Sequence, residues 1–113
     1  MASENIKYRI LETRTEIAVV ELGKNVLGGS EALEFTSVLD ELSHSPVKII
    51  AADLSNVELM NSSGLGMLVN GLNSVKKHDK AFVLASVPAK VEKLLKMTHL
   101  DEVFTIYSGI DSI

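Results

Sequence analysis

The stretch "LMNSSGLGMLV", residues 59–69, decides how this chain is read. An apolar, strand-like run stops, Asn61, Ser62 and Ser63 follow, and Gly64 and Gly66 then fall inside a helical apolar pattern. Asn61 or Ser62 suits a helix N-cap, because its side-chain oxygen can accept a hydrogen bond from a free amide of the first turn. On that plain reading the serines only start a helix. One cap suffices, however, and Gly64 weakens the helix by about 1 kcal/mol relative to Ala. A glycine there implies that something approaches the backbone closely. A helix N-terminus also favours anions, through its unpaired amides and its dipole. A phosphate on Ser62 would add about −1.5 to −2 charge at a favourable place. The same charge within a partner-binding patch would repel that partner, so the junction suits a switch.

The elements around this junction follow from periodicity and turn residues. "IKYRILE" and "EIAVVEL" are β-rich runs separated by Thr13, Arg14 and Thr15, a hairpin pattern. "GKNVLGGS" reads as a glycine-bearing loop, after which Ser30 is expected to cap a helix carrying Phe35, Val38, Leu39 and Leu42 at helical spacing. "SHSP" ends that helix. "VKIIAADL" is nearly continuous in apolar residues, as in a strand buried on both faces. Beyond the junction, Leu65, Leu68, Val69, Leu72 and Val75 mark one face of a second helix. "KAFVLASV" is the next strand, and Pro88 opens a third helix with Val91, Leu94, Leu95 and Thr98 on one side. "EVFTIY" is expected as a last short strand, and "SGIDSI" as the start of a further helical turn. The order β-β-α-β-α-β-α-β predicts an α/β fold. Its one mixed β-sheet would combine an N-terminal hairpin strand with parallel strands, under packed helices. The junction falls where a strand end enters a helix, a common location for sites in such sheets.

Bulk properties narrow the function. The 113 residues fit one domain, 1–113, with 46% hydrophobic and 23% charged residues, ordinary for a globular chain. No cysteine is present, which excludes disulfides and thiolate chemistry and is compatible with a reducing compartment. The net charge is −4, and no basic block runs beyond Lys76-Lys77, so no nucleic acid partner is expected. "MASENIKYRI" lacks the pattern of a signal peptide, and no apolar run is long enough to insert in a membrane. A cytoplasmic protein is the expectation.

At "IIAADLSNVELMNSSGLGMLVNGLNSVKK" the sequence closely resembles the signature region of STAS domains, especially the bacterial anti-sigma factor antagonists. The resemblance extends from the hairpin to "PAKVEKLLKMTHLDEVFTIY" and rests on Asp53-Leu54-Ser55, on Ser62-Ser63-Gly64-Leu65-Gly66 and on "HLDEVF". It implies a STAS fold and a binding module rather than an enzyme. The implied partner is an anti-sigma factor serine/threonine kinase, released when Ser62 (alternatively Ser63) is phosphorylated and regained after a serine phosphatase acts. ATP belongs to the kinase, so no cofactor is expected in this chain. The implied partner-binding residues are Asn25 and Ser30 of the loop, with Asn61, Ser62, Ser63, Gly64, Leu65, Gly66 and Met67 of the junction. Three positions depart from the family pattern. Asn61 stands for its Asp, "GKNVLGGS" lacks the usual acidic residue of that loop, and His99 stands for a Gly that ends the third helix. Asn61 keeps a cap but removes a charge beside the acceptor, and His99 is expected to tolerate a left-handed backbone. The alternative implied by the same family is an unphosphorylated STAS subunit of a lipid or anion transport system or of a sensory assembly.

Other chemistries lack their residues. The serine-hydrolase elbow Gly-x-Ser-x-Gly misses its first glycine at Ser62 and Ser63. His44, His78 and His99 lie at polar element ends, and no P-loop string exists. Metal sites need clustered ligands, whereas Asp53 stands alone at a strand end and reads as a turn residue. Asp101-Glu102 reads as a solvated pair, and Lys90, Lys93 and Lys96 as a solvated row that an acidic partner could use. Met67 reads as a core residue or as one exposed beside the switch. The sequence gives no positive sign of a stable oligomer, so a monomer or weak dimer is expected.

Overall fold

The computed structural model describes residues 6–113. The amino-terminal stretch in which no leader is read begins outside them, at residues 1–5. In chain order the elements are β1 (Lys7–Ile10), β2 (Ile17–Glu21), β3 (Asn25–Val26), α1 (Ser30–Ser43), β4 (Ile49–Asp53), β5 (Leu59–Met60), α2 (Ser62–Lys76), β6 (Ala81–Ala85), α3 (Ala89–Met97) and β7 (Thr105–Tyr107). Short 3-10 turns occupy Leu100–Glu102 and Ile110–Ser112.

The main sheet runs β1-β2-β4-β6-β7, with β1 antiparallel to β2 and the other neighbours parallel. Its centre is β2, β4 and β6, the three runs read above as buried. Alternation across the pleat sorts their side chains. The register aligns Ala18, Ile50 and Phe82 in one row and Val20, Ala52 and Leu84 in another, on the same face. That face meets Phe35 and Leu39 of α1, Leu68 and Leu72 of α2 and Val91 and Leu95 of α3 in one hydrophobic core. Phe82 lies edge-on to Phe35 at 6.1 Å and tilted against Phe104 at 6.3 Å between ring centroids, so it links α1 to the segment before β7. Gly71 lets α1 approach α2, because a Cβ there would come within 2.8 Å of Leu39 Cδ1 and Phe35 Cε2.

The hairpin, the three helices and the mixed sheet follow the order read from the sequence, and four details differ. The loop "GKNVLGGS" contains β3, which pairs in parallel with β5 as a separate two-stranded sheet. Two residues are too few to show a period, and the pairing joins segments more than thirty positions apart. Ser30 is the first residue of α1 rather than its cap. Gly29 holds the cap position at φ 68°, a left-handed backbone suited to glycine, without a side-chain cap bond. The last strand is shortened to its final three residues by the 3-10 turn before it. His99 has φ 61° and ψ 17°, the left-handed conformation expected of it. The tail forms only a 3-10 turn.

The two glycines of the junction have different neighbours. A Cβ on Gly64 would lie 1.9 Å from the Val26 carbonyl oxygen, so the approach that this glycine permits is made by the chain's own β3. A Cβ on Gly66 would meet nothing within 4 Å. Gly64→Ala is therefore expected to cost at least about 1–3 kcal/mol, as overpacking does. Gly66→Ala should instead stabilise by up to about 1 kcal/mol through helix propensity. Urea unfolding of both variants checks the opposite signs.

At the start of α1, burial pushes the Glu31 carboxyl above its usual range, partly offset by the Leu27 backbone and reinforced by nearby Glu34. A carboxyl with a raised folded pKa favours the folded state while protonated and costs stability as pH rises through that value. Glu31→Gln should therefore be more stable than wild type at pH 7. The gain should vanish below the unfolded carboxyl value of about 4.3, and urea titrations at pH 7 and pH 4 measure it.

Candidate functional site

The amino terminus of α2 is built by Asn61. Its backbone is extended, at φ −110° and ψ −177°, and its Oδ1 accepts a hydrogen bond from the Gly64 amide at 2.8 Å. Its carbonyl accepts from Leu65 at 2.9 Å, the first bond of the helix. The cap is thus complete without either serine. Ser62 and Ser63 occupy the first two helical positions, both exposed, and neither hydroxyl has a hydrogen-bond partner among the described residues. No acidic residue lies in the first turn of α2. The remaining free amides and the helix dipole therefore give this end an uncompensated positive character.

The loop after β3 is brought against these serines. Gly28 and Gly29 have φ 85° and 68°, so the chain turns sharply before α1. A Cβ on Gly28 would lie 3.0 Å from Ser63 Cβ, which puts the loop backbone in contact with the start of α2. Asn61 also donates its amide weakly to the Val26 carbonyl, at 3.4 Å. The two segments expected to form one surface, residues 25–30 and 61–67, are therefore adjacent through residues 61–63. Asn25, Ser30, Asn61, Ser62 and Ser63 are all exposed.

Within the expected partner-binding set, Gly64, Leu65 and Met67 differ. Leu65 and Met67 are each 4% exposed and their side chains belong to the core, since the face of α2 that meets the sheet includes both positions. Gly64 is buried under Val26. Their place is beneath the surface, where they support its exposed residues. Gly66 stays half-buried with open space beside it.

Two aliphatic side chains belong to this face although their residue type suggested core. Leu27 is 41% exposed and Leu59 56%. The sequence carries no signal for them, because strands of two residues show no alternation. Val26 is buried and Met60 partly buried, so Leu59 within β5 and Leu27 just after β3 point outward.

The remaining candidates fall elsewhere. Asp53 Oδ1 accepts from the Ser55 amide at 3.0 Å, the turn role expected of it. His44 and His78 pack edge-on at 5.1 Å, a pairing not read from the sequence. They lie at the carboxyl ends of α1 and α2, about 22 Å of helix from Ser62. An open hollow of about 450 Å³ lies at the carboxyl ends of β2 and β4, with Lys7, Lys24, Glu21 and Glu58 among its lining residues. Among the described residues no group of three or more His, Cys, Asp or Glu could hold a metal ion. No described helix is long and apolar enough to cross a membrane.

Comparison with known proteins gives this arrangement a context. A candidate anti-sigma factor antagonist of Thermotoga maritima is 38% identical over 73 residues, 65% of this chain and 65% of that protein. The crystal structure carrying that description, from the same organism, superposes with a TM-score of 0.77 at 31% identity, covering 94% of this chain and 88% of the other. The anti-sigma-B factor antagonist of Staphylococcus aureus is 27% identical over 78 residues, 69% of this chain and 72% of that protein. A sulfate transporter family protein from Wolinella succinogenes shares the fold, with a TM-score of 0.77 at 16% identity over 92% of this chain and 84% of its own. The STAS domain model matches residues 8–113, which include the whole of the surface around Ser62, and the chain belongs to the STAS domain family.

Proposed function

We propose that this chain is an anti-sigma factor antagonist whose occupancy by its partner is controlled at Ser62. The unmodified form binds an anti-sigma factor serine/threonine kinase through residues 25–30 and 61–63 and thereby frees a sigma factor. Phosphorylation of Ser62 by that kinase breaks the complex, and a serine phosphatase restores it. The setting is the cytoplasm, and the chain acts by binding rather than by catalysis. The observation that carries this reading is the unbonded, exposed Ser62 hydroxyl on the first residue of a helix already capped by Asn61.

The physics of the switch follows from that placement. A phosphate brings about −1.5 to −2 charge and three acceptor oxygens. Within this chain it meets free amides and a dipole that favour it by about 0.3–1 kcal/mol, so α2 remains formed. At a buried interface the same group must lose its hydration, and that cost falls on the complex alone. Asn61 assists by capping with an amide, which adds no negative charge beside the acceptor. Ser62 is preferred over Ser63 because the Gly28 backbone rests on Ser63.

Affinity capture from the native lysate, with wild type and Ser62→Asp as parallel baits, tests the reading. A kinase held by wild type and lost by Ser62→Asp is expected. With the purified kinase, Ser62→Asp should weaken binding at least tenfold, about 1.4 kcal/mol. Ser62→Ala should bind but resist phosphorylation. Transport or sensory subunits held equally by both baits would instead assign the chain to an unphosphorylated assembly.

A further inference from the structure

We infer that the groove between β5 and α3 receives an amphipathic helix of the partner protein, aliphatic on one face and carrying carboxylates along the flank that meets α3. The inference rests on the partner-binding reading above and gives that partner its chemistry.

The groove has a volume of about 260 Å³. Its floor is the buried Val91 with the half-buried Met60 and Leu94, and its walls are Leu59 and Met97. Leu59 is 56% exposed and Met97 70%, two large apolar side chains that line the same groove. The groove thus offers an apolar lining that the apolar face of a partner can cover. Small-molecule pockets enclose most of their ligand and run from about 300 Å³ upward. This groove is smaller and open, and its walls are protruding, flexible side chains. That shape suits a helix laid lengthwise, with anchors one turn apart, and methionine adapts readily to such a surface.

Charge gives the occupant an orientation. On α3, Lys96 is engaged by Glu92 at 3.1 Å, whereas Lys90 and Lys93, on the groove's α3 side, have no ion-pair partner among the described residues. Glu58 makes no ion pair among the described residues, and it lines both the β5 side of this groove and the neighbouring polar hollow. The sign of the rim therefore changes across the groove, in a chain whose net charge is −4. A partner helix with carboxylates toward α3 and a Lys or Arg toward Glu58 matches both rims. A fatty acyl chain could use the lysines but would leave Glu58 facing hydrocarbon. The groove is also continuous with the switch, since Met60 precedes the capping Asn61 directly. Ser62 is two residues from the groove floor, about 7 Å along the chain. A phosphate there lies within a Debye length of about 8 Å of the groove floor, so it changes the field in which the same occupant binds.

The test uses the full chain and a phage-displayed library of random 16-residue peptides, panned against wild type. Enriched peptides should share aliphatic residues at i, i+3 or i+4, and i+7, with Glu or Asp along one flank. Amide shifts should map a synthetic representative to residues 58–60 and 90–97. Leu59→Ser with Met97→Ser should weaken it at least tenfold, as should Lys90→Glu with Lys93→Glu. All four side chains are exposed, and circular dichroism verifies that the variants fold. A peptide with Lys in place of its acidic flank should regain binding to the Lys90→Glu, Lys93→Glu variant. Peptides without this pattern, or peptides mapping elsewhere, would overturn the inference. So would groove shifts produced by protein concentration alone, which would mean a second copy, or oleate binding the groove as tightly as the peptide. Peptide binding that survives Ser62→Asp but is lost in the groove variants would keep the groove, and the switch reading would then depend on the kinase measurement alone.

Discussion

The Val26 carbonyl and the Gly64 backbone meet where β3 crosses the first turn of α2, and the surface around Ser62 depends on that contact. No side chain fits between them. The same carbonyl receives the Asn61 amide, so one oxygen fixes both the strand and the cap residue that starts the helix. Pairing of β3 with β5 then fixes the segment leading into the cap from the other side. The loop of Gly28 and Gly29 is held between these contacts and presented next to Ser63. Large displacement of the loop relative to the serines would have to break this arrangement.

Around that contact the junction divides its work among residues that look alike in sequence. Asn61 satisfies the helix terminus, and this frees the hydroxyls that follow it. Gly64 serves the internal packing of the chain, while Gly66, one position beyond Leu65, leaves space open. Leu65 and Met67 anchor α2 in the core, so the helix end that presents Ser62 and Ser63 is held by packing beneath it. A rigid presentation lowers the entropy lost on association. Under the proposed switch, a charge added at Ser62 would act on the partner more than on the chain's own fold.

The architecture was legible wherever an element was long enough to show a period. The continuous apolar runs of β2, β4 and β6 and the helical spacing in α1, α2 and α3 come from side-chain burial, which leaves its mark in residue type. The Asn61 cap and the His99 backbone were legible because each rests on a local rule. What escaped was set by contacts between distant segments. The two-residue β3 is a strand only because Leu59 and Met60 lie beside it, and Gly29 took the cap position from Ser30 because the chain turns there with a left-handed backbone. Gly64 announced a close approach without naming its source. Leu27 and Leu59 were hidden by the reverse effect, since an aliphatic residue in or beside a two-residue strand carries no sign of which face it will take.

The small β3–β5 sheet is separate from the five-stranded sheet that carries the core. Its outward side chains make no contribution to the main hydrogen-bonded ladder, and its inward ones are confined to Val26 and Met60. Divergence among relatives can therefore alter Asn25, Leu27 and Leu59 with little consequence for folding. Duplicate copies within one genome could acquire separate partners through a handful of substitutions there, while retaining the same scaffold and the same helix cap. Insulation of one cell circuit from another would then be encoded in two strands of two residues each and the turn that follows the first.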